Sequence, residues 1–200
     1  MIHWRRRAAV VLLAGAGAAA PAARAAQGGR VPIVIETSAG TIEAELDSAR
    51  APISVTNFLR YVDARAYDGG RFHRTVRMDN QPGNAVKIEV IQGGVAPDRA
   101  ARDWPPIALE RTSVTGLHHV DGALSMARAG PETATSDFFI CIGPQPELDF
   151  GGKRNADGQG FAAFGRVTKG MEIVRRIQQG AAEAQRLAPA VAIVRVARRK

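Results

Sequence analysis

Alternating apolar and polar residues recur along most of the chain and predict a series of short β-strands. In the segment 41–46, Ile42, Ala44 and Leu46 alternate with polar residues, which is typical of a half-buried strand. Similar β-rich segments lie at 31–36, 70–76, 86–92, 107–110, 121–127, 136–142, 161–168 and 191–196. Clusters of Gly and Pro separate these segments, as expected of turns. The pattern therefore predicts about nine extended segments.

Helical spacing of apolar residues occurs only twice. Residues 52–67 begin with Pro52 and carry an apolar stripe at helical spacing. A second helix is predicted at about 170–179 and ends at Gly180. Strands that follow one another without intervening helices favour a closed antiparallel barrel over a parallel α/β sheet. The predicted fold is mainly β, with a closed antiparallel barrel of about eight strands and two α-helices.

The first residues have the features of a secretory signal peptide. Three arginines at 5–7 precede an apolar run of about 13 residues, and the small residues Ala23 and Ala25 flank Arg24. A membrane span needs ~20 apolar residues, so this run predicts a cleaved signal at 1–25 rather than stable membrane insertion. The paired arginines also allow twin-arginine export. We expect a periplasmic or secreted protein with a tail at 26–32 and one domain at 33–197.

The charge of the chain is largely explained by its two ends. The sequence has 27 Lys and Arg against 19 Asp and Glu, and loss of residues 1–25 would leave 23 basic residues and a net charge of +4. Part of this excess lies at 195–200, where a solvated chain end is the simplest interpretation. Because no nucleic-acid motif accompanies it, we expect no nucleic-acid binding. The single cysteine, Cys141, lies in an apolar run and is expected to be a buried thiol.

Four short motifs carry the functional information: FHR at 72–74, IQGG at 91–94, GALSMA at 122–127 and SDFFI at 136–140. Their order and spacing resemble the cyclophilin family of peptidyl-prolyl cis/trans isomerases, and further matches extend the resemblance from about residue 33 to about 196. The resemblance implies a closed barrel with a helix over each open end. It also implies isomerase activity on X-Pro bonds of exported proteins, no cofactor, and proline-containing polypeptides as partners.

Isomerisation of an X-Pro bond requires no covalent chemistry. Resonance holds the amide planar behind a barrier of ~18–20 kcal/mol, and twisting returns the lone pair to the proline nitrogen. A permanently charged donor aimed at that nitrogen stabilises the twisted state selectively. The resemblance implies that Arg74 is this catalytic donor. The implied substrate-binding residues are Phe72, Gln92, Met126, Ala127, Asp137, Phe139 and Leu148.

Some of these positions leave alternatives open. For Phe72 and Met126, plain core packing is an equal alternative. The family usually has glutamine at the position of Asp137, and an ionised Asp can only accept hydrogen bonds. Asp137 could instead pair with Arg74 and fix its aim, or partly neutralise it. Glu147 stands where many members have tryptophan, and Glu89 falls near an expected pocket phenylalanine, so we expect an unusually acidic pocket.

Two other functions are compatible with parts of the sequence. The first is a cyclophilin-like binding or chaperone module with little or no isomerase activity, which the acidic substitutions favour. The second is a hydrolase or metal enzyme built on His118 and His119, but adjacent residues of a strand point to opposite faces. No carboxylate or cysteine lies at ligand spacing, so we expect a loop histidine pair and no metal site. The polar loops 77–86 and 150–160 flank the proposed site, and a monomer is expected.

Overall fold

Antiparallel strands close into a barrel in the computed structural model, which describes residues 29–96 and 104–199. The strands are β1 Arg30–Thr37, β2 Gly40–Asp47, β3 Arg71–Val76, β4 Val90–Gly94, β5 Ala123–Met126, β6 Phe138–Cys141, β7 Ala162–Lys169, β8 Ala182–Glu183 and β9 Arg186–Arg198. Eight of them form a ring in the order β1-β2-β7-β5-β6-β4-β3-β9, and β9 pairs with β1 to close it. The short β8 forms a hairpin with the start of β9. The predicted mainly β barrel is confirmed.

Two of the helices lie at opposite ends of the barrel. The helices are α1 Pro52–Asp63, the single turn α2 Thr112–Thr115, and α3 Met171–Gln178, with a 3₁₀ turn at Pro146–Leu148. The chain enters α1 directly after β2, where the Ala51 N–H donates to the Asp47 carbonyl at 2.9 Å. At the other end of β2, the Ile173 side chain of α3 packs over Gly40. Within the described ranges, none of these helices is long and apolar enough to cross a bilayer.

Several helices and strands begin or end at residues other than the predicted ones. The first helix ends at Asp63 rather than at 67, and the last strand starts at Arg186 rather than at 191. The first strand starts at Arg30, so the last residues of the predicted tail belong to the barrel. The predicted signal at 1–25 lies outside the described residues. Arg65 adopts a left-handed φ of 55° just after the first helix, and pairing with neighbouring strands sets the strand ends, and local periodicity reports neither.

The predicted strand 107–110 does not form, and the predicted strand 86–92 forms only from Val90 onward. In the segment 107–110, only Ile107 makes an isolated bridge, and the Glu110 carboxylate accepts from the N–H groups of Ile53 and Ser54 at 3.0 and 2.8 Å. Glu110 thereby caps α1, because Ala51 at the N-cap offers no side-chain acceptor. The segment 86–89 precedes β4, and the Gln81 side chain bonds both the N–H and the carbonyl of Ile88. Side chains here satisfy backbone groups that a strand ladder would otherwise satisfy.

The apolar side chains form two separate clusters on the two faces of the barrel wall. The interior cluster includes Phe58 of α1 and Phe138 of β6, whose rings meet edge to face at 5.3 Å. The second cluster lies on the outer face and consists of Val76, Ile88, Val90, Ala123, Phe139, Cys141 and Leu148, with Ala127 and Phe161 packed against it. Phe138 and Phe139 belong to different clusters because successive strand residues point to opposite faces. Cys141 is fully buried, as predicted, and burial raises the pKa of its thiol well above the usual range.

Candidate active site

The outer apolar cluster forms the floor of a cleft of about 520 Å³. Phe139 and Phe161 meet edge to face there, with ring centroids 5.3 Å apart. Leu148, from the 3₁₀ turn, is fully buried beside them, and Ile88 and Val90 complete the apolar lining. The result is an apolar cup on the barrel wall, since Val90 belongs to β4, Phe139 belongs to β6 and Phe161 directly precedes β7. Such a surface suits a small apolar ring such as that of proline.

Arg74 stands at the rim of this cup with its guanidinium held by two glutamines. Its Nε and Nη2 donate to Gln185 Oε1 at 2.9 and 2.6 Å, and its Nη1 donates to Gln92 Oε1 at 2.9 Å. A guanidinium has five N–H groups, so one N–H on each terminal nitrogen remains for a ligand. Burial, and secondly the charge of Arg154, lower the pKa of Arg74. The group nevertheless stays protonated at neutral pH, because arginine starts from a very high pKa.

Phe72 faces away from the cleft, so the prediction that it binds substrate is wrong. Strand alternation would place residues 72 and 74 on one face. In β3, however, the pairing with β4 shifts by one residue between Phe72 and Arg74, and the pairing with β9 is also irregular there, which makes a β-bulge at His73. The bulge turns Phe72 into the barrel interior, where its ring lies 5.8 Å from Phe138, and leaves Arg74 on the cleft side.

The remaining predicted site residues also divide into those that face the barrel interior and those that line the cleft. Met126 is also wrong as a pocket residue, because it is buried in the interior cluster opposite Phe138. Its neighbour Ala127 lines the cleft and donates its N–H to the Asp137 carbonyl at 2.9 Å. The structure thus brings six of the predicted residues together around the cleft: Arg74, Gln92, Ala127, Asp137, Phe139 and Leu148. Their roles toward a substrate stay predictions.

Asp137 is connected to Arg74 through the Gln92 side chain. Gln92 Nε2 donates to Asp137 Oδ2 at 2.9 Å, while Gln92 Oε1 accepts from Arg74. His73 Nε2 lies 3.6 Å from the same Asp137 oxygen. A Cβ on Gly94 would come within 1.8 Å of Asp137 Oδ1, so this second glycine of the IQGG motif makes room for the carboxylate. The expected direct pair between Asp137 and Arg74 is not among the described contacts, which favour an indirect role of Asp137 in aiming Arg74 through Gln92.

The expectation of an acidic pocket is wrong. Glu89 accepts from Gln178 Nε2 at 3.1 Å, and Glu147 accepts from the Lys153 N–H at 2.8 Å, so both carboxylates are engaged away from the cleft lining. Three arginines line it instead: Arg74, Arg128 and Arg154. Asp137 is the one acidic residue among the described lining residues. The cleft is therefore positively charged.

Two of these arginines were not anticipated from the sequence. Arg128 donates from both terminal nitrogens to Asp157 at 2.8 and 3.0 Å, and its guanidinium lies 5.0 Å from the centre of the Phe161 ring. Arg154 Nη1 donates to Gln81 Oε1 at 3.1 Å and to the Val86 carbonyl at 2.7 Å, which ties the two long loops together across one side of the cleft. Gln185 was also missed. No local signal marks these residues, because each acts through a partner far away in the sequence.

A histidine–aspartate network supports the floor from behind. His119 Nδ1 lies 2.6 Å from Asp149 Oδ1, His118 Nδ1 lies 2.8 Å from Asp149 Oδ2, and His119 Nε2 lies 2.9 Å from Ser125 Oγ. The buried His119 ring stacks on Phe139 at 5.9 Å. The pair lies in a loop, as predicted, but both rings converge on one carboxylate. Within residues 29–96 and 104–199, no group of three or more His, Cys, Asp or Glu side chains is arranged to hold a metal ion.

Comparison with known proteins agrees with this architecture. Residues 32–198 match the family model of the cyclophilin type peptidyl-prolyl cis-trans isomerases. The peptidyl-prolyl cis-trans isomerase A of Dickeya dadantii is 39% identical over 149 residues, which cover 74% of this chain and 70% of that protein. The isomerase cyp18 of Streptomyces antibioticus is 36% identical over 148 residues, which cover 73% and 82%.

A structural relative has the same fold. The crystal structure of a cyclophilin type peptidyl-prolyl cis-trans isomerase from Cryptosporidium parvum superposes with a TM-score of 0.67 at 22% identity, and the match covers 86% of this chain and 98% of that one. At this identity the likeness concerns the fold. The match of residues 32–198 to the family model and the sequence relatives establish the family as well as the fold. The chain belongs to the family of cyclophilin-type peptidyl-prolyl cis-trans isomerases.

Proposed function

We propose that this isomerase catalyses rotation of X-Pro bonds by placing the proline ring on the Phe139–Phe161 floor and the twisting amide beside Arg74. The observation that carries the proposal is the pre-aligned guanidinium, fixed by Gln92 and Gln185 at the edge of an apolar cup. The planar amide offers its nitrogen no usable lone pair, whereas the twisted amide does. A hydrogen bond from Arg74 to that nitrogen is therefore made only on the way to the transition state, which lowers the barrier.

The rest of the cleft would orient the substrate chain. Gln92 and the backbone of Ala127 offer polar groups next to the cup, and Asp137 holds the Gln92 amide in the orientation that Arg74 needs. No bond to the substrate is made or broken in this scheme, and no cofactor enters it. Catalysis would arise from positioning and from one charged donor in a partly buried site.

The test is an exchange measurement on a short neutral Ala-Pro peptide with the chain from residue 26 onward. Uncatalysed rotation takes tens of seconds or more, so we expect two-dimensional NMR exchange cross-peaks between cis and trans only when the protein is present. The alternative, a module that binds proline peptides without catalysis, predicts chemical-shift changes on binding and no exchange cross-peaks. That second result would contradict the proposed function.

We also propose that the protein acts outside the cytoplasm. The basic, apolar and small-residue segments at 1–25 support this location, because together they have the features of a cleavable signal. Expression of the full chain in a bacterium is expected to give a product that begins at Ala26 in the periplasm or the medium, as measured by fractionation and intact-mass spectrometry. A cytoplasmic product that retains residues 1–25 would argue against export.

A further inference from the structure

Two arginines face the cleft without an acidic partner. Arg74 donates only to the neutral amides of Gln92 and Gln185, and Arg154 donates only to the Gln81 amide and the Val86 carbonyl. Within residues 29–96 and 104–199, neither guanidinium lies within 4.0 Å of a carboxylate oxygen, whereas the third cleft arginine, Arg128, is paired with Asp157. The cleft therefore contains two positive charges that the described part of the chain leaves uncompensated.

The carboxylate of Asp137 does not cancel these charges by direct contact. Its Oδ2 accepts from Gln92 Nε2 and lies 3.6 Å from His73 Nε2, so the group is already engaged on the Arg74 side of the cleft. Arg154 lies on the loop side, where its Nη1 uses both N–H groups on Gln81 and Val86. Its Nε and Nη2 donors have no acceptor among the described residues. These are the donors that a ligand can take.

Holding two partly buried cations on one cleft is unfavourable in the absence of a ligand. Both side chains are only partly exposed, and like charges near each other in a medium of reduced dielectric repel. Burial, and after it the charge of Arg154, lower the pKa of Arg74, which agrees with the repulsion expected of two cations that line the same cleft. An anion between them would relieve the repulsion and accept charge-assisted hydrogen bonds. The free cleft is thus suited to a negatively charged ligand group.

We infer that this cleft selects proline peptides that carry an acidic side chain next to the proline, with the carboxylate bound by Arg154. The inference rests on the proposed function, because Arg74 beside the twisting amide and the Phe139–Phe161 floor under the ring define where the neighbouring residue lies. Arg154 lies on the loop 150–160 and is tied to the loop 77–86 by two hydrogen bonds, so its guanidinium is held where it lines the cleft. The acidic residue either precedes or follows the proline, and the peptides of the test separate these two cases.

The experiment compares glutamate with its neutral isostere glutamine at each position next to proline. For wild type, we expect kcat/KM from protease-free NMR exchange to be about tenfold higher for the glutamate peptide at one of the two positions, the scale of one hydrogen bond to a charged group. We expect this preference to shrink as salt rises from about 0.05 M to about 0.5 M, because screening weakens the attraction. Equal kcat/KM for the Glu and Gln peptides at both positions would overturn the inference.

Variants assign the preference to Arg154. Arg154→Gln is expected to abolish it, whereas Lys153→Gln, which removes a charge from the neighbouring residue of the same loop, is expected to keep it. Arg154→Lys keeps the charge and is expected to retain part of the preference, so it tests the inference even if Arg154→Gln folds poorly. A preference that survives in folded Arg154→Gln, or that is lost in Lys153→Gln, would overturn the assignment.

The outcome is separable from that of the proposed function. Catalysis of the neutral glutamine peptide tests isomerisation alone, whereas the inference concerns only the ratio between two peptides. If neither peptide is turned over, the proposed catalysis fails, and the ratio of their dissociation constants from NMR titration then decides the inference by the same criteria.

Discussion

Replacing Arg74 by alanine is expected to lower kcat/KM for a neutral proline peptide by about 10²-fold or more. That factor corresponds to about 3 kcal/mol of transition-state stabilisation, the scale of one preorganised donor in a partly buried site. The loss should appear in kcat, because the hydrogen bond to the proline nitrogen forms only as the amide twists. NMR exchange at several peptide concentrations measures kcat and KM separately.

The controls separate the donor from general effects of charge and folding. Arg71→Ala removes an exposed arginine from the same strand and should leave kcat/KM within about twofold, since surface substitutions have small effects. Arg74→Lys keeps the charge but not the planar fork that Gln92 and Gln185 hold, so most of the loss should persist. An Arg74→Ala protein with normal circular dichroism and wild-type kcat would show that catalysis does not depend on this guanidinium.

Replacing Asp149 by alanine is expected to lower the free energy of unfolding by about 2–4 kcal/mol. The change leaves His119 Nδ1 without its acceptor in a side chain that is 0% exposed, and the loss of one partner from a buried pair is strongly destabilising. Because His119 stacks on Phe139, we also expect weaker binding of proline peptides. Urea unfolding at neutral pH measures the first effect, and NMR titration measures the second.

A matched control is Asp79→Ala, which removes a carboxylate that is 74% exposed and pairs only with Arg77 among the described contacts. An exposed pair of this kind contributes roughly 0–1 kcal/mol, so little change is expected. Equal unfolding free energies for Asp149→Ala and wild type would show that the histidine network does not stabilise the floor.

The Asp149 carboxylate also makes the free energy of unfolding depend on pH, and the direction of this dependence can be predicted. Burial raises the pKa of Asp149, but the hydrogen bonds from His119 and His118 outweigh burial and leave it below the ordinary value. A folded-state pKa below the unfolded value of about 3.9 stabilises the protein above that pH, and this stabilisation is lost as pH falls through the folded pKa. Wild type should therefore lose unfolding free energy more steeply than Asp149→Asn below about pH 4. A constant difference between the two across the acid range would contradict this.

The pattern of residue types along the chain was sufficient for the fold class and the family. Alternation in segments such as 41–46 predicted strands because neighbouring residues of a half-buried strand experience opposite environments. The absence of helical segments between most strands then favoured a closed barrel, which the structure confirms. The four motifs identified the family, and Arg74, Gln92, Ala127, Asp137, Phe139 and Leu148 do meet in one cleft.

Local periodicity failed where one residue changed the register. In β3 the sequence predicts that Phe72 and Arg74 share a face, and the bulge at His73 places them on opposite faces of the barrel wall. A bulge is a property of the pairing between strands, and nothing in the three residues themselves specifies it. The prediction of a strand at 107–110 was wrong for a similar reason, since the Glu110 carboxylate accepts hydrogen bonds from the start of α1 and the segment does not pair with a neighbouring strand.

The sequence alone was enough to identify a β-barrel of the cyclophilin family and to predict a catalytic arginine, because strand alternation and the family motifs depend on residues that are close together in the chain. The residues that surround this arginine and the charge of the cleft follow from the three-dimensional fold. Gln185 orients Arg74 from 111 positions away, and Arg154 bridges to Gln81 from 73 positions away. Such contacts depend on how strands and loops pair in three dimensions, and therefore the arginine-rich cleft became visible only in the folded chain.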